Sequence, residues 1–234
     1  MFEGFSTRTV DFMWSLRLNN NKPWFEEHKD EYRQDFLEPM KELGREVFER
    51  VKDTCGDHGF IHKLSRIYRD ARRLHGEGPY RSNMWFSIER PSEEWTSVPV
   101  FWFELAPDEW SYGMGYYQAR PQTMAKLRAR IDKDPRKFEK LMAPLDKQDE
   151  FVLDGDEYKR KKTAPSDKTA VWYNLKSFSL IHRQPNGPEI FTRELSGRLV
   201  DGYKFLMPFY DYFITVDSDP PPVEKGAGDI GGGA

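Results

Sequence analysis

Residues 110–118 read W-S-Y-G-M-G-Y-Y-Q, and this stretch decides the fold. Large side chains recur at every second position from Trp110 to Tyr116, and the positions between them hold Ser111, Gly113 and Gly115. A period of two predicts a β-strand whose large side chains lie on one face of a sheet. The other face of this strand carries almost no side chain, so we expect a neighbouring group to approach its backbone closely.

The strand pattern continues upstream of this stretch. Residues 98–105, V-P-V-F-W-F-E-L, are apolar on both faces, and Met84, Phe86 and Ile88 alternate with other residues before them. Short polar loops between such segments are typical of an antiparallel meander. Residues 151–181 are expected to add one or two further strands.

Apolar residues at helical spacing flank the strands on both sides. They predict helices over residues 7–18, from Asn21 onward, and over 40–56, 121–131, 135–142 and 188–213. Proline removes a backbone donor, so Pro39 should kink or divide the second of these helices, and Pro208 should bend or end the last.

These patterns predict one α+β domain over residues 1–215. Its mostly antiparallel sheet has about five or six strands, with the N-terminal helices and a long C-terminal helix packed on one face. Residues 216–234 are rich in proline, glycine and acids. With so little apolar surface to bury, we expect this segment to be a disordered tail.

The charge and cysteine content narrow the class of protein. The chain carries 36 basic and 39 acidic residues, a formal net charge of −3, and one cysteine, Cys55. A single cysteine excludes an intramolecular disulfide framework. No run approaches the roughly 20 apolar residues that span a bilayer, and the first ten residues lack the pattern of a secretory leader. We therefore expect a soluble cytoplasmic protein without a membrane partner.

Positive charge is concentrated in residues 63–81, K-L-S-R-I-Y-R-D-A-R-R-L-H-G-E-G-P-Y-R. If the start of this block is extended, Arg66, Asp70 and Arg72 share one face; if it is helical, Arg73 aligns with Asp70 instead. Guanidiniums beside a carboxylate suit a receptor for phosphate or carboxylate, because arginine binds such anions through two parallel hydrogen bonds. They equally suit a structural ion-pair network that holds the following turn. Both explanations remain open.

The functional hypothesis is a pocket for a small anionic ligand. Arginines would bind the charged end and aromatic residues the remainder, and the expected lining is Arg66, Arg69, Arg72, Tyr80, Arg81, Trp102, Tyr116 and Tyr117. Glu104 shares a strand face with Trp102, and we expect it either at the exposed strand end or paired with an arginine. If the protein is an enzyme, His75 or Asp70 would act as a base near the bound anion in phosphoryl or acyl transfer, with Glu104 as a further candidate.

The sequence contains no motif that calls for a metal or a cofactor. Cys55, His58 and His62 offer three metal-binding side chains, but structural zinc takes four closely spaced ligands. Gly113 and Gly115 lack the third glycine of a dinucleotide-binding fingerprint and lie within a strand. We therefore expect neither a metal nor a cofactor.

A second class of function is an interaction module that binds protein or nucleic acid without catalysis. Basic residues are frequent in 120–140, and residues 159–162 are all lysine or arginine. A flat stripe joining Arg128, Arg136 and Lys161 would favour a polyanion. Acidic residues interspersed among these cations favour a solvated helix face instead.

Several blocks of the chain together resemble one known family. Residues 2–5 read F-E-G-F, residues 19–25 read N-N-N-K-P-W-F, and residues 69–72 read R-D-A-R, followed by P-Y-R at 79–81. In this order they resemble the F-x-G-F, N-N-x-x-x-W-F and R-D-x-R…P-Y-K blocks of DUF2461, a family of uncharacterised proteins. The loop before Pro79 lacks the lysine found in that family. The resemblance covers most of residues 2–213 and implies the family's fold, without implying a reaction.

Overall fold

The computed structural model of the protein describes residues 1–70, 72 and 78–222, with residue 95 described by its backbone alone. Within these residues, antiparallel strands form one open sheet in the order β1-β2-β3-β4-β6-β5. The strands are β1 (Ile61–Leu64), β2 (Met84–Glu89), β3 (Pro99–Leu105), β4 (Glu109–Tyr116), β5 (Val152–Asp154) and β6 (Ser179–Pro185). The predicted α+β fold with a mostly antiparallel sheet is confirmed, including the meander that leads into β4.

The helices follow the predicted order, except that one of them, Asp167–Tyr173, lies within residues 151–181, where only strands were expected. They are α1 (Thr7–Leu18), α2 (Lys22–Glu27), α3 (Lys29–Glu31), α4 (Glu38–Cys55), α5 (Pro121–Lys133), α6 (Pro135–Met142), α7 (Asp167–Tyr173) and α8 (Glu194–Ile214). The Asn21 side chain accepts a hydrogen bond from the backbone N–H of Trp24 and so caps α2. Asp134 caps α6 in the same way, through the N–H of Lys137.

The core lies between the sheet and the helices α4 and α8. Alternate strand residues are fully buried there, among them Phe86, Phe101 and Phe103. Burying each such side chain stabilises the fold by about 1.5–3 kcal/mol. The Tyr203 hydroxyl of α8 donates a hydrogen bond of 2.7 Å to the backbone carbonyl of Trp102, which fixes the helix against β3. The residues between the buried ones therefore face the opposite side of the sheet.

Two prolines lie within helical segments of the structure. Pro39 occupies the first turn of α4, where its missing N–H costs little, and a π-helical segment (Tyr32–Leu37) meets α4 just before this proline. Pro208 lies inside α8 without ending it. It is exposed, as is Lys204 four residues earlier, so water can reach the carbonyl that loses its partner.

The last predicted helix also begins later than expected. Residues Pro188–Phe191 form a separate 3-10 turn, and α8 starts at Glu194.

The domain extends beyond residue 215, where we predicted its end. Val216 is fully buried, and the Thr123 hydroxyl donates a hydrogen bond of 2.5 Å to Asp217. Arg130 binds both carboxylate oxygens of Asp219, at 2.6 and 2.7 Å. The first residues assigned to the tail therefore pack against α5, because Arg130 of this helix binds the Asp219 carboxylate. Residues 223–234 of the predicted tail lie outside the described residues.

No helix in the described part of the chain is both long enough and apolar enough to cross a membrane.

Candidate functional site

A groove lies on the sheet face opposite α4 and α8. Cross-strand pairing places Trp85 opposite Glu104, Ser87 opposite Trp102, and Trp102 opposite Gly113. Because directly opposed residues share a face, these side chains line one surface. That surface is the floor of the groove.

Two adjoining cavities make up this sheet groove. The tryptophan cavity has a volume of about 450 Å³, and its lining includes Trp85, Ser87, Trp102, Glu104, Tyr117 and Arg81. The arginine cavity has a volume of about 550 Å³, and its lining includes Lys63, Arg66, Tyr68, Arg69, Asp70, Glu89, Trp85 and Arg81. Arg81 and Trp85 belong to both, so they stand where the two cavities meet.

A short extended pairing presents the arginines to the groove. Tyr68 pairs with Tyr80 in an antiparallel bridge, the Arg69 N–H donates to the Pro79 carbonyl at 2.8 Å, and the Arg81 N–H donates to the Ile67 carbonyl at 2.7 Å. The start of the basic block is therefore extended, which was one of the two alternatives left open by the sequence.

Tyr80 anchors this pairing and does not close over the groove. Its side chain is 3% exposed and stacks on Phe25 with ring centroids 4.0 Å apart. Burial raises the pKa of its hydroxyl. The prediction that Tyr80 binds ligand is therefore wrong, because its ring is part of the core.

The arginines of the block have different surroundings. Arg66, Arg69 and Arg81 line the arginine cavity together. Arg72 does not: its side chain is 88% exposed, and it binds Asp70 through Nε at 3.0 Å and Nη2 at 2.8 Å. Asp70, a candidate base, is thus engaged in an ion pair at the groove's edge.

Arg81 differs from its neighbours in burial and in pairing. Its side chain is half-buried, and among the described residues its guanidinium has no hydrogen-bond or ion-pair partner. The guanidinium of Arg66 also has no such partner within the described ranges, but Arg66 is exposed. The Nε of Arg69, by contrast, donates to the Tyr80 carbonyl at 2.9 Å.

A buried carboxylate that the sequence patterns did not predict lies beside the groove. Glu89 has a side chain only 1% exposed, and it accepts hydrogen bonds from Lys63 Nζ at 2.5 Å and from Ser87 Oγ at 2.7 Å. The alternation of β2 could have indicated its position, because burial of Met84, Phe86 and Ile88 on one face places Ser87 and Glu89 on the other. Glu89 therefore forms its ion pair with Lys63, and it forms no described ion pair with the neighbouring arginines.

Glu104 has a different partner from the one we expected. It is half-buried in the tryptophan cavity, and its Oε1 accepts a hydrogen bond from the Asn83 amide. No arginine in the described part of the chain forms an ion pair with it. The expectation of an arginine partner is therefore wrong, because the polar side chain within reach is an amide.

The aromatic residues expected to line the pocket are placed in three ways. Trp102 lies over Gly113, where an added Cβ would stand 3.0 Å from the end of the indole ring and 2.1 Å from the Leu180 carbonyl. This is the close approach that the glycine face of β4 predicted. Tyr117 is 75% exposed at the rim. Tyr116 borders the cavity, but its hydroxyl donates to the Phe213 carbonyl in the core at 3.1 Å, and burial raises its pKa.

The remaining catalytic and metal candidates do not converge on the groove. His75 lies outside the described residues. Among the described residues, no group of three or more histidine, cysteine or acidic side chains is placed to hold a metal ion. His58 instead contacts the Cys55 carbonyl at 3.0 Å, and His62 packs beside Phe48 and Phe86.

His62 should make stability depend on pH. Its Nε2 is buried without a hydrogen-bond partner in the described structure, close to Gly44, and burial lowers its pKa. The unfolded chain therefore binds a proton more readily, so stability falls as pH drops below about 6.5, by at most ~1.4 kcal/mol per pH unit. Urea unfolding between pH 7.5 and 5.5 should show this loss in the wild type and a smaller one in His62→Leu. Equal losses in both proteins would contradict the assignment.

Three of the four cations of α5 make contacts inside the domain. Lys126 Nζ donates to the Asp217 carbonyl at 2.5 Å, and Arg130 binds Asp219. Arg128 is only 8% exposed and lies over the Tyr158 ring, 5.5 Å from its centroid. The stripe that would have favoured a polyanion therefore lacks Arg128, one of its three members.

Residues 8–212 of the 234-residue chain match the family described as conserved hypothetical protein (DUF2461). No curated protein matches the chain. The match covers nearly the whole domain, from α1 into the last turn of α8, and it agrees with the resemblance of the separate blocks. The chain therefore belongs to the DUF2461 family.

Proposed function

We propose that this protein binds a small anionic ligand, carrying a phosphate or a carboxylate, in the sheet groove. Arg81 is the principal contact, with Arg66 and Arg69 beside it. The observation that carries the proposal is the half-buried guanidinium of Arg81, which has no hydrogen-bond or ion-pair partner among the described residues. A partly desolvated cation without a counter-ion is costly, and an anion in the groove would relieve that cost.

The balance of charges that line the arginine cavity also supports an anion site beside Arg81. Four cationic residues line the arginine cavity against two acidic ones, Asp70 and Glu89. Glu89 is bound to Lys63 and Asp70 to Arg72, so neither of them forms a described ion pair with Arg81. A third cavity of about 580 Å³ adjoins the groove beyond Tyr117, but it holds two aspartates and one lysine. An anion is therefore favoured at the arginine end.

Ligand-induced stabilisation tests this proposal. Inorganic phosphate, pyrophosphate and citrate would be added to the purified protein while thermal unfolding is followed. An anion present at 100 times its dissociation constant should stabilise the protein by about 2.7 kcal/mol, a rise in Tm of several degrees. Arg81→Met should abolish that rise because it removes the guanidinium and keeps an apolar stem.

Arg136→Met is the matched control. Arg136 is an exposed arginine of α6, remote from the groove lining. Its loss should leave the stabilisation intact. Equal stabilisation of wild type and Arg81→Met, or no stabilisation of the wild type by any of the anions, would reject the proposal.

A further inference from the structure

We infer that the ligand of the sheet groove also carries a planar nitrogen heterocycle with N–H donors, as a mononucleotide does. This inference rests on the proposed function and names the class of ligand. It follows from three side chains that line the tryptophan cavity, namely Arg81, Trp102 and Glu104. Their functional groups differ, and each suits a different part of such a ligand.

Trp102 supplies a flat stacking surface. The end of its indole stands over Gly113, so the ring leans across β4 and lies along the sheet. Any side chain at position 113 would raise the ring from the sheet. Gly115 and Ser179, which are small, line the same cavity and leave space above the floor. A planar ring can therefore lie against the indole, and stacking on an aromatic side chain favours heterocyclic bases.

Glu104 supplies a hydrogen-bond acceptor at the edge of that surface. The Asn83 amide holds Oε1, while Oε2 accepts no hydrogen bond from any residue that the structure describes. Glu104 stands directly opposite Trp85 and two residues from Trp102 on β3, on the same face. A carboxylate positioned beside a stacking ring accepts hydrogen bonds from the N–H groups of a base edge. A purely aliphatic anion would leave this acceptor unused.

The tryptophan cavity is large enough for one ligand of this class. Its volume of about 450 Å³ falls within the range of roughly 300–1,000 Å³ of small-molecule sites. Arg81 lies at the boundary with the arginine cavity, so the phosphate would occupy that end and the heterocycle the tryptophan end. The acidic third cavity beyond Tyr117 argues against a long polyanion that runs across the whole sheet.

Two phosphates that differ only by a heterocycle test the inference. Guanosine 5′-monophosphate has adjacent N–H donors on its base, and ribose 5-phosphate has the same sugar phosphate without the base. We expect calorimetry to give a dissociation constant at least about fivefold lower for guanosine 5′-monophosphate. The nucleotide should also quench tryptophan fluorescence, whereas ribose 5-phosphate should not.

Variants separate the parts of the site. Trp102→Leu should remove the advantage of the nucleotide and leave the binding of ribose 5-phosphate unchanged, which also shows that the variant is folded. Trp102→Phe, with a smaller ring, should keep part of the advantage. Glu104→Gln should weaken only the nucleotide, by about tenfold, and Arg81→Met should weaken both ligands.

The outcomes distinguish this inference from the proposal beneath it. If both phosphates bind equally, or ribose 5-phosphate binds more tightly, the heterocycle subsite is wrong and the anion site stands. The inference is also wrong if Trp102→Leu and Trp102→Phe retain the full nucleotide advantage. If neither phosphate binds and none of the simple anions stabilises the protein, both claims fail.

Discussion

Arg198→Met is expected to lower the free energy of unfolding by about 2–3 kcal/mol, because it removes the main partner of a half-buried carboxylate. Arg198 donates to both oxygens of Glu150, at 3.0 and 2.9 Å, and also binds Glu189. The Tyr112 hydroxyl donates to the same carboxylate from the core. The side chains of Arg198 and Glu150 are 30% and 31% exposed, so the loss falls below that of a fully buried pair.

The pH dependence of this loss follows from the environment of Glu150. Burial alone would raise the pKa of this carboxyl, but hydrogen bonds from Arg198 and Tyr112 outweigh burial and hold the pKa below its usual value. A carboxyl with a lowered pKa contributes stability above about pH 4.3, and that contribution is lost as pH falls through the folded-state pKa. In Arg198→Met burial remains while the main hydrogen bonds are gone, so the carboxyl should take up its proton at higher pH.

Urea unfolding at pH 7 and pH 4 measures both effects, and Arg183→Met is the control. Arg183 pairs with Glu109 at 3.5 Å, but both side chains are about half exposed, so its loss should cost less than about 1 kcal/mol. The double variant Arg198→Met/Glu150→Gln should recover part of the stability, because the unpaired charge is gone. A loss in Arg198→Met no larger than in Arg183→Met would show that the ion pair contributes only as a surface pair does.

The strands from β2 onward were predictable because their pattern depends on local geometry, whereas β1 (Ile61–Leu64) was not predicted. In β4 large and small residues alternate without interruption, and one face of this strand had to meet the core. The same alternation indicated a close approach to the face that holds Ser111, Gly113 and Gly115. Most of the helices were predictable, but their ends were not, and α7 lies where only strands were expected. A spacing of apolar residues does not distinguish the π-helical turn at Tyr32–Leu37 from an α-helix, since Tyr32 and Phe36 are buried either way.

The lining of the groove was less predictable because it depends on partners distant in sequence. Glu104 binds Asn83, 21 residues away, and no periodicity indicates whether an amide or a guanidinium reaches it. Tyr80 looked like a ligand contact because it stands beside Arg81, yet adjacent residues of an extended chain point to opposite sides. That geometry assigns Tyr80 to the core and Arg81 to the groove. Composition alone could identify the basic block, but only the pairing with residues 67–69 separates its members.

Asn20→Ala is expected to lower the free energy of unfolding by about 2 kcal/mol, because it removes two hydrogen bonds to one buried residue. The Asn20 amide N–H donates to the Tyr80 carbonyl at 2.8 Å, and its Oδ1 accepts from the Tyr80 N–H at 3.0 Å. After the substitution the Tyr80 carbonyl keeps the hydrogen bond from Arg69, but the Tyr80 N–H loses its partner. Asn19→Ala, which removes an exposed side chain bound to the Ser15 carbonyl, should cost about 0.5 kcal/mol or less.

The same substitution should weaken the binding of anions although Asn20 does not line the groove. Asn20 and Phe25 belong to the N-N-N-K-P-W-F block, and Tyr80 and Arg81 belong to the P-Y-R block. The two blocks meet through the Asn20–Tyr80 hydrogen bonds, which span 60 residues, and through the stacking of Phe25 on Tyr80. Loss of the Asn20 bonds frees the backbone that immediately precedes Arg81. Anion-induced stabilisation should therefore be smaller in Asn20→Ala than in Asn19→Ala. The free energy of unfolding with and without the anion is compared at one temperature below the Tm of both variants. Asn20→Asp, which keeps the acceptor but sets a carboxylate oxygen against the Tyr80 carbonyl, should resemble Asn20→Ala. Equal stabilisation of all three variants would mean that Arg81 is positioned without this contact.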